Sequence, residues 1–391
     1  MNEILKRNLT IYYITRAFCG LRFIIPIWVT FFLRVITFEQ MAFAELIASF
    51  IGILFEFPSG VLADIIGRKW TVAVGFIISG IGYTLLSSTQ NMSDYIIYYA
   101  IANIGNAFIS GAEDAFIYDS LKEADKLSMF AKVKSTEAVI YRTTLLISTI
   151  VGGYIYKIKI FLPYFLTGIA IILTGVVYLF AKEPHIDTEK FNVKTYLRNF
   201  FLGFRESFKS SENILVSIYY ILIFSVSFLL MGFFEQPYTK WLGFDETAIG
   251  WIFGLTLGVK ILTMSLAPSI AKRLNYKTIN FLLPFLTGIV LFLSFHNKTW
   301  GLFVLFVENI ILAYRFVFTD RTYNHFIDSK FRASAISTVN MFINIIFALS
   351  VFVFSRLIEF KNIGISFNIF GIIFLFASII SLFIKSEKID S

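Results

Sequence analysis

The residues able to do chemistry in this chain are ionisable side chains set inside long apolar runs. They are Arg16, Arg22, Glu45, Glu56, Glu113, Asp114, Glu137 and Arg142, then Glu235, Lys260, Glu308, Arg315 and Arg356. A charge surrounded by hydrocarbon is costly unless it is paired or hydrated, so each position marks a site. Acids and bases roughly balance, so part of the set is expected to pair internally. A buried carboxylate left over is driven towards its protonated form, and a guanidinium left over can hold an anion. That is the chemistry of proton exchange and ion recognition. Bond-making chemistry has no comparable set. His185, His296 and His325 fall in connections or at the ends of apolar runs, and no phosphate-cradling glycine loop, nucleophile elbow or paired metal-ligand histidines occur. An enzyme is not expected, nor is a cofactor or metal.

Spacing sorts these residues. Asn103, Asn106, Ser110 and Glu113 recur at steps of three and four, which on an unbroken helix makes one polar stripe facing a protein interior. Glu308 and Arg315 are two turns apart, and Asn340 and Asn344 form an i, i+4 pair. Arg22 falls near the middle of its run. Arg22, Glu113 and Glu308 are therefore expected to line a cavity. Asn103, Asn106, Asp114, Arg142, Arg315, Asn340 and Asn344 complete the candidates for proton coupling or cavity lining. For Glu113, a coupling role and a plain salt bridge both stay open. Glu45, Glu235 and Arg356 lie near the outer ends of their runs, where snorkelling is cheap. Glu45 and Arg356 read as structural, whereas Glu235-Gln236-Pro237 joins an acid, an amide and a helix breaker in a candidate outer gate. Lys260 calls for an acid partner that the sequence does not identify.

The elements that must position these groups are membrane helices. The 391 residues are 57% hydrophobic and only 15% charged, with a mean hydropathy of +0.75. Soluble domains run near 45–50% apolar, so the excess must face lipid. At about 20 residues per crossing, twelve spans are expected. They lie near 9–33, 40–62, 71–90, 94–118, 133–156, 160–181, 213–239, 247–271, 278–296, 299–319, 334–357 and 363–384. Most Lys and Arg fall in the termini and even-numbered connections. The opposite loops hold Arg34, Lys157, Lys159, Lys240, Lys298 and Lys361. The positive-inside rule then places both termini in the cytoplasm. The net charge of +8 is explained by these basic loops, and no nucleic-acid partner is expected. One cysteine, Cys19, rules out an internal disulfide. No cleavable signal segment is expected, since the first apolar run is too long.

The polar stretch 183–212 separates two six-helix halves, 1–182 and 213–391. Pro184 stops the sixth span, and 193–205 mixes aromatics with cations, in keeping with either an interfacial amphipathic helix or a solvated linker. The halves resemble distant copies. Span four exits through Ala115-Phe116-Ile117-Tyr118-Asp119 and span ten through Arg315-Phe316-Val317-Phe318-Thr319-Asp320, each aromatic-rich and closed by an acid.

Between spans two and three stands Gly60-Val61-Leu62-Ala63-Asp64-Ile65-Ile66-Gly67-Arg68-Lys69. Its glycines suit a tight reversal. The pattern G-x-L-A-D-x-x-G-R-K resembles the signature loop of the major facilitator superfamily of secondary transporters. That resemblance implies an all-α integral membrane fold of twelve helices in two pseudo-symmetric bundles, with the substrate path at their interface. It also implies a cytoplasmic latch in which Asp64 faces the start of span eleven near Arg332–Ser334 and Arg68 pairs with Asp119. Two departures from proton-coupled exporters of the superfamily stand out. Their arginine early in span four is matched by Tyr99, and their Gly-Pro in span five reads Ser148-Thr149, although Gly152-Gly153 remains.

The function expected from these features is secondary transport across the plasma membrane by a monomer. The first reading is export of a small amphipathic molecule by proton antiport. The rivals are a proton-coupled or facilitative importer on the same fold and, more remotely, a receptor or assembly partner that moves nothing. Neutralising Glu113 would be tolerated only by the last.

Overall fold

The computed structural model describes residues 3–184, 193–271, 275–296, 298–328, 331–359 and 363–384, and among them there is no strand. The chain forms two compact units, Met1–Val193 with Asp245–Gly254, and Lys194–Phe244 with Leu255–Ser391.

The first unit contains α1 (Glu3–Cys19), α2 (Trp28–Phe32), α3 (Phe38–Ile66), α4 (Arg68–Leu86), α5 (Met92–Ile109), α6 (Ala112–Glu123), α7 (Phe130–Ile158) and α8 (Leu162–Tyr178). Helix starts carry their expected signals. Thr37 and Gln40 close a capping box at α3, the Asn91 side chain accepts from the Asp94 amide at α5, and Pro163 opens α8. Small residues let backbones meet. A Cβ on Gly105 would lie 2.3 Å from the Ser79 amide, and one on Gly82 would lie 2.4 Å from the Ala102 amide. Tyr12, Phe76, Phe116 and Tyr178 fill the core between α1, α4, α6 and α8.

The second unit contains α9 (Val193–Ser207), α10 (Ser211–Leu229), α11 (Glu235–Trp241), α12 (Glu246–Ala271), α13 (Tyr276–His296), α14 (Lys298–Phe326), α15 (Arg332–Glu359) and α16 (Ile363–Leu382), with α12 divided between the units at Gly254. The stretch after Val193 is thus helical, and Ser207 at its end shares a 3.0 Å hydrogen bond with Tyr323. A π-turn at Leu230–Phe234 separates α10 from α11. Pro237 accounts for it, because the ring has no N–H to give and crowds the carbonyl four residues back.

Among the described residues, six helices are long and apolar enough to cross a membrane, and three shorter apolar helices accompany them. Two expected spans are not continuous. The first, 9–33, is broken between α1 and α2, and the fourth, 94–118, is broken between α5 and α6 at Ser110-Gly111. Gly111 sits at φ +75, a conformation that a side chain would oppose. The two-glycine reversal expected at 60–69 also needs correction. α3 runs straight through Gly60 and Asp64, and the turn is made by Gly67 alone, at φ 94 and ψ 155.

Candidate functional site

Gly20 is a poor helix former, and Pro26 crowds the Arg22 carbonyl, so the first span cannot stay helical between them. The freed backbone is satisfied from neighbouring helices. The Ser148 hydroxyl accepts the Arg22 amide at 3.1 Å and donates to the Gly20 carbonyl at 2.8 Å. The Phe23 amide donates to Thr167 Oγ1 at 3.1 Å. Gly152 admits the corner, since a Cβ there would stand 2.1 Å from the Phe23 carbonyl oxygen. Ser148, which stands where the exporter signature has Gly-Pro, and Gly152, from the Gly-Gly that remains, thus brace the break. Arg22 projects from it half-buried, its guanidinium 5.1 Å from the Tyr83 ring centroid and its Nε donating to the Cys19 carbonyl at 3.3 Å.

Below the break lies a charge network. Arg16 pairs with Glu113 and stands 3.7 Å from Glu137. Lys134 contacts Asp114 at 2.8 Å and Glu137 at 3.4 Å. The Tyr178 hydroxyl donates to Glu113 at 2.8 Å, and Lys134 donates to the Tyr12 hydroxyl at 3.3 Å. Two cations thus serve three acids. Glu113 is buried, whereas Asp114 is exposed. The expected Asn103–Glu113 stripe is corrected here. The kink at Ser110-Gly111 gives Glu113 its own helix, and it joins Arg16 rather than the asparagines. Asn106 accepts from the Ser79 hydroxyl at 2.9 Å, and the Asn103 side-chain nitrogen is buried without a partner among the described residues.

Glu45 was expected to snorkel, and it does not. It is only 7% exposed and accepts from the Tyr95 hydroxyl at 2.7 Å, with the Tyr99 hydroxyl as a second partner. Phe32, Tyr95 and Tyr164 close the pocket, with Phe32 and Tyr95 centroids 4.2 Å apart and Phe32 and Tyr164 5.1 Å apart. Among the described residues no basic side chain pairs with it. Tyr99, which stands where exporters carry arginine, therefore leaves Glu45 without a counter-charge.

At the cytoplasmic turn Arg68 pairs with Asp119 and donates to the Ala115 carbonyl at 2.8 Å. Asp119 lies just past its expected span. Burial pushes its carboxyl above the usual range, and Arg68 pulls it back. Sequence reasoning missed Glu183, whose carboxylate accepts the amides of Arg68 at 2.7 Å and Lys69 at 2.9 Å. An acid there complements the positive end of α4. A Cβ on Gly67 would come within 2.8 Å of it, so this position needs glycine for space as well as for backbone. The side chain of Asp64 lies outside the described residues, as does that of Arg315.

In the second unit Glu235 is buried, accepts from Asn309 at 3.2 Å, and feels the charge of Lys260. That supplies the acid for Lys260. Gln236 is buried beside it, Pro237 is half-buried, and Glu308 is fully buried in α14. Arg142, Asn340 and Asn344 are exposed, the two asparagines on one face of α15.

The described residues thus form apolar helices with ion pairs in their interior and one buried carboxylate that no described basic side chain pairs with, as in a polytopic membrane protein. The sequence profile of the Major Facilitator Superfamily matches residues 11–319, and the chain belongs to that family. Over 276 residues it is 24% identical to YxaM of Bacillus subtilis (strain 168), an uncharacterized MFS-type transporter, spanning 68% of this chain and 67% of the relative. Two solved structures share its fold. A D-xylose-proton symporter superposes with a TM-score of 0.76 at 13% identity, covering 99% of each chain. The nucleoside transporter NupG gives 0.74 at 15%, covering 98% of each. The protein is therefore an all-helical, multi-pass membrane transporter and not an enzyme.

Proposed function

We propose that this transporter is proton-coupled and exports a small amphipathic molecule across the plasma membrane by antiport, as a monomer working by alternating access. The observation that carries proton coupling is Glu45, a buried carboxylate whose facing titratable groups are the phenols of Tyr95 and Tyr99 on α5 and Tyr164 on α8, with Tyr83 of α4 beyond them. Desolvation without a cation favours the protonated form, and hydration on opening favours release. Glu113 serves less well as the carrier, because it is already paired with Arg16; Asp114 is exposed and paired to Lys134. Gly152-Gly153, shared with exporters of the superfamily, supports the outward direction.

A second reading, uptake by proton symport, is favoured by Arg22. An anion held there strengthens the grip of a nearby carboxylate on its proton, so the two would travel together. Everted vesicles loaded with a pH-reporting dye separate the readings. Under antiport, an amphipathic compound from a screening panel discharges the proton gradient in wild type and not in Glu45→Gln, and an uncoupler abolishes its movement. Under symport, accumulation in cells follows the inward gradient instead. Discharge that persists in Glu45→Gln removes Glu45 as the carrier.

A further inference from the structure

Resting on the transport reading above, we propose that the substrate is an organic anion whose charged head is held by Arg22 in the break of the first span.

Three other basic side chains of the first unit have an acid, and Arg142, the remaining arginine of its apolar runs, is exposed. Arg16 has Glu113 and Glu137, Lys134 has Asp114 and Glu137, and Arg68 has Asp119. Arg22 has none among the described residues. The groups that face it are the Tyr83 ring and hydroxyl, Tyr141 and the Cys19 carbonyl. Among the described acids within the apolar runs of the unit, Glu113 and Glu137 are engaged by Arg16, Asp114 by Lys134, and Glu45 by Tyr95 and Tyr99; the side chain of Glu56 lies outside the described residues. A permanent cation at this depth without a counter-ion is expensive, and a bound anion supplies the missing charge.

The geometry suits a two-oxygen head. Nε donates to the Cys19 carbonyl and the guanidinium shares a hydrogen bond with Tyr83, and the terminal N–H groups beyond these are presented in a flat fork that matches carboxylate, sulfonate or phosphate. Tyr83 lies against the guanidinium and holds its plane. The backbone under Arg22 is fixed by Ser148 and Thr167, so the fork is presented from a braced corner. Discontinuous helices near mid-membrane are where carriers expose such groups to ligands.

The test uses purified full-length protein in detergent, titrated with naphthoate and with naphthamide, its uncharged counterpart of the same shape, at constant ionic strength. Saturable binding of naphthoate is expected, tighter than naphthamide by roughly tenfold or more, as one charge-assisted hydrogen bond implies. Arg22→Gln should erase the preference. Arg22→Lys, which keeps the charge and loses the fork, should weaken naphthoate several-fold; it also serves if the glutamine variant does not fold. Equal affinity for the two probes, no saturable binding, or an undiminished preference in Arg22→Gln overturns the proposal. Vesicle assays keep this apart from the transport reading. Naphthoate binding through Arg22 without any flux would leave the anion site standing and retire the carrier, and flux without naphthoate preference would do the opposite.

Discussion

The Ser148 hydroxyl accepts the Arg22 amide at 3.1 Å and donates to the Gly20 carbonyl at 2.8 Å, so a single side chain closes the corner where the first span stops being a helix. Ser148→Ala removes a partner from each backbone group and leaves them only their own 2.8 Å bond to each other, at a cost of about 1–3 kcal/mol. A melting midpoint lower by several degrees and a matching fall in transport are expected. Thr149→Ala, which removes only a bond to the Leu145 carbonyl of its own helix, should leave both near wild type.

Gly67 carries two constraints at once, a φ of 94 and the Glu183 carboxylate 2.8 Å from where a Cβ would stand. Gly67→Ala should cost about 1–3 kcal/mol from the backbone alone. Glu183→Gln should cost less, because the amide oxygen still accepts one of the two amides. Thermal unfolding of the two variants should rank them in that order, and the reverse ranking would remove Glu183 as the group that makes glycine obligatory.

Arg68 and Asp119 are proposed to act as a cytoplasmic latch together with Asp64. Arg68→Ala or Asp64→Asn should cripple transport at normal expression. In a double-mutant cycle, Arg68→Ala and Asp119→Asn together should cost little more than either alone, since both remove one contact. Wild-type rates in the single variants would take the latch out of the mechanism.

In the Arg16 network, Glu113→Gln leaves Arg16 with Glu137 at 3.7 Å, whereas Arg16→Gln takes from Glu113 its paired cation and leaves Lys134 to Asp114 and Glu137. Removing one member of a buried pair costs about 3–5 kcal/mol where no substitute exists. Arg16→Gln should therefore destabilise the protein more than Glu113→Gln. Equal losses in the two unfolding curves would show that Glu137 does not back up the pair.

Glu45 should give a protonated-carboxyl stretch in infrared difference spectra, displaced by its phenol partners. Glu45→Gln should remove the band, and Tyr95→Phe should shift it. Raising the pH should bleach it, because the carboxyl sheds its proton as the solution becomes alkaline. A spectrum in which Glu45→Gln changes nothing would contradict a proton at that position.

What the sequence made legible was whatever local pattern decides. Gly67-Arg68-Lys69 is contiguous, and the charge it needs lies at the recognisable end of span four. Apolar length showed that the chain is a helical membrane protein. The breaks escaped because Phe18 to Ile27 is apolar on both sides of Arg22, so hydropathy passes over Gly20 and Pro26, the two residues that interrupt it. The Asn103–Glu113 stripe assumed an unbroken 3.6 period, and Gly111 resets it. Glu45 was misjudged by depth along its own span, since the tyrosines that enclose it come from helices distant in sequence. Glu183 was hidden behind Pro184, the louder signal beside it.

Glu113 and Asp119 are carried by one short rod, α6, hinged at Gly111, around which a Cβ would meet nothing within 4 Å. Six residues of helix, about 9 Å of rise, join the ion bound to Arg16 to the ion bound to Arg68. A tilt of that rod about Gly111 would disturb both clasps in a single stroke, and an event at one end would then reach the other without any intervening relay.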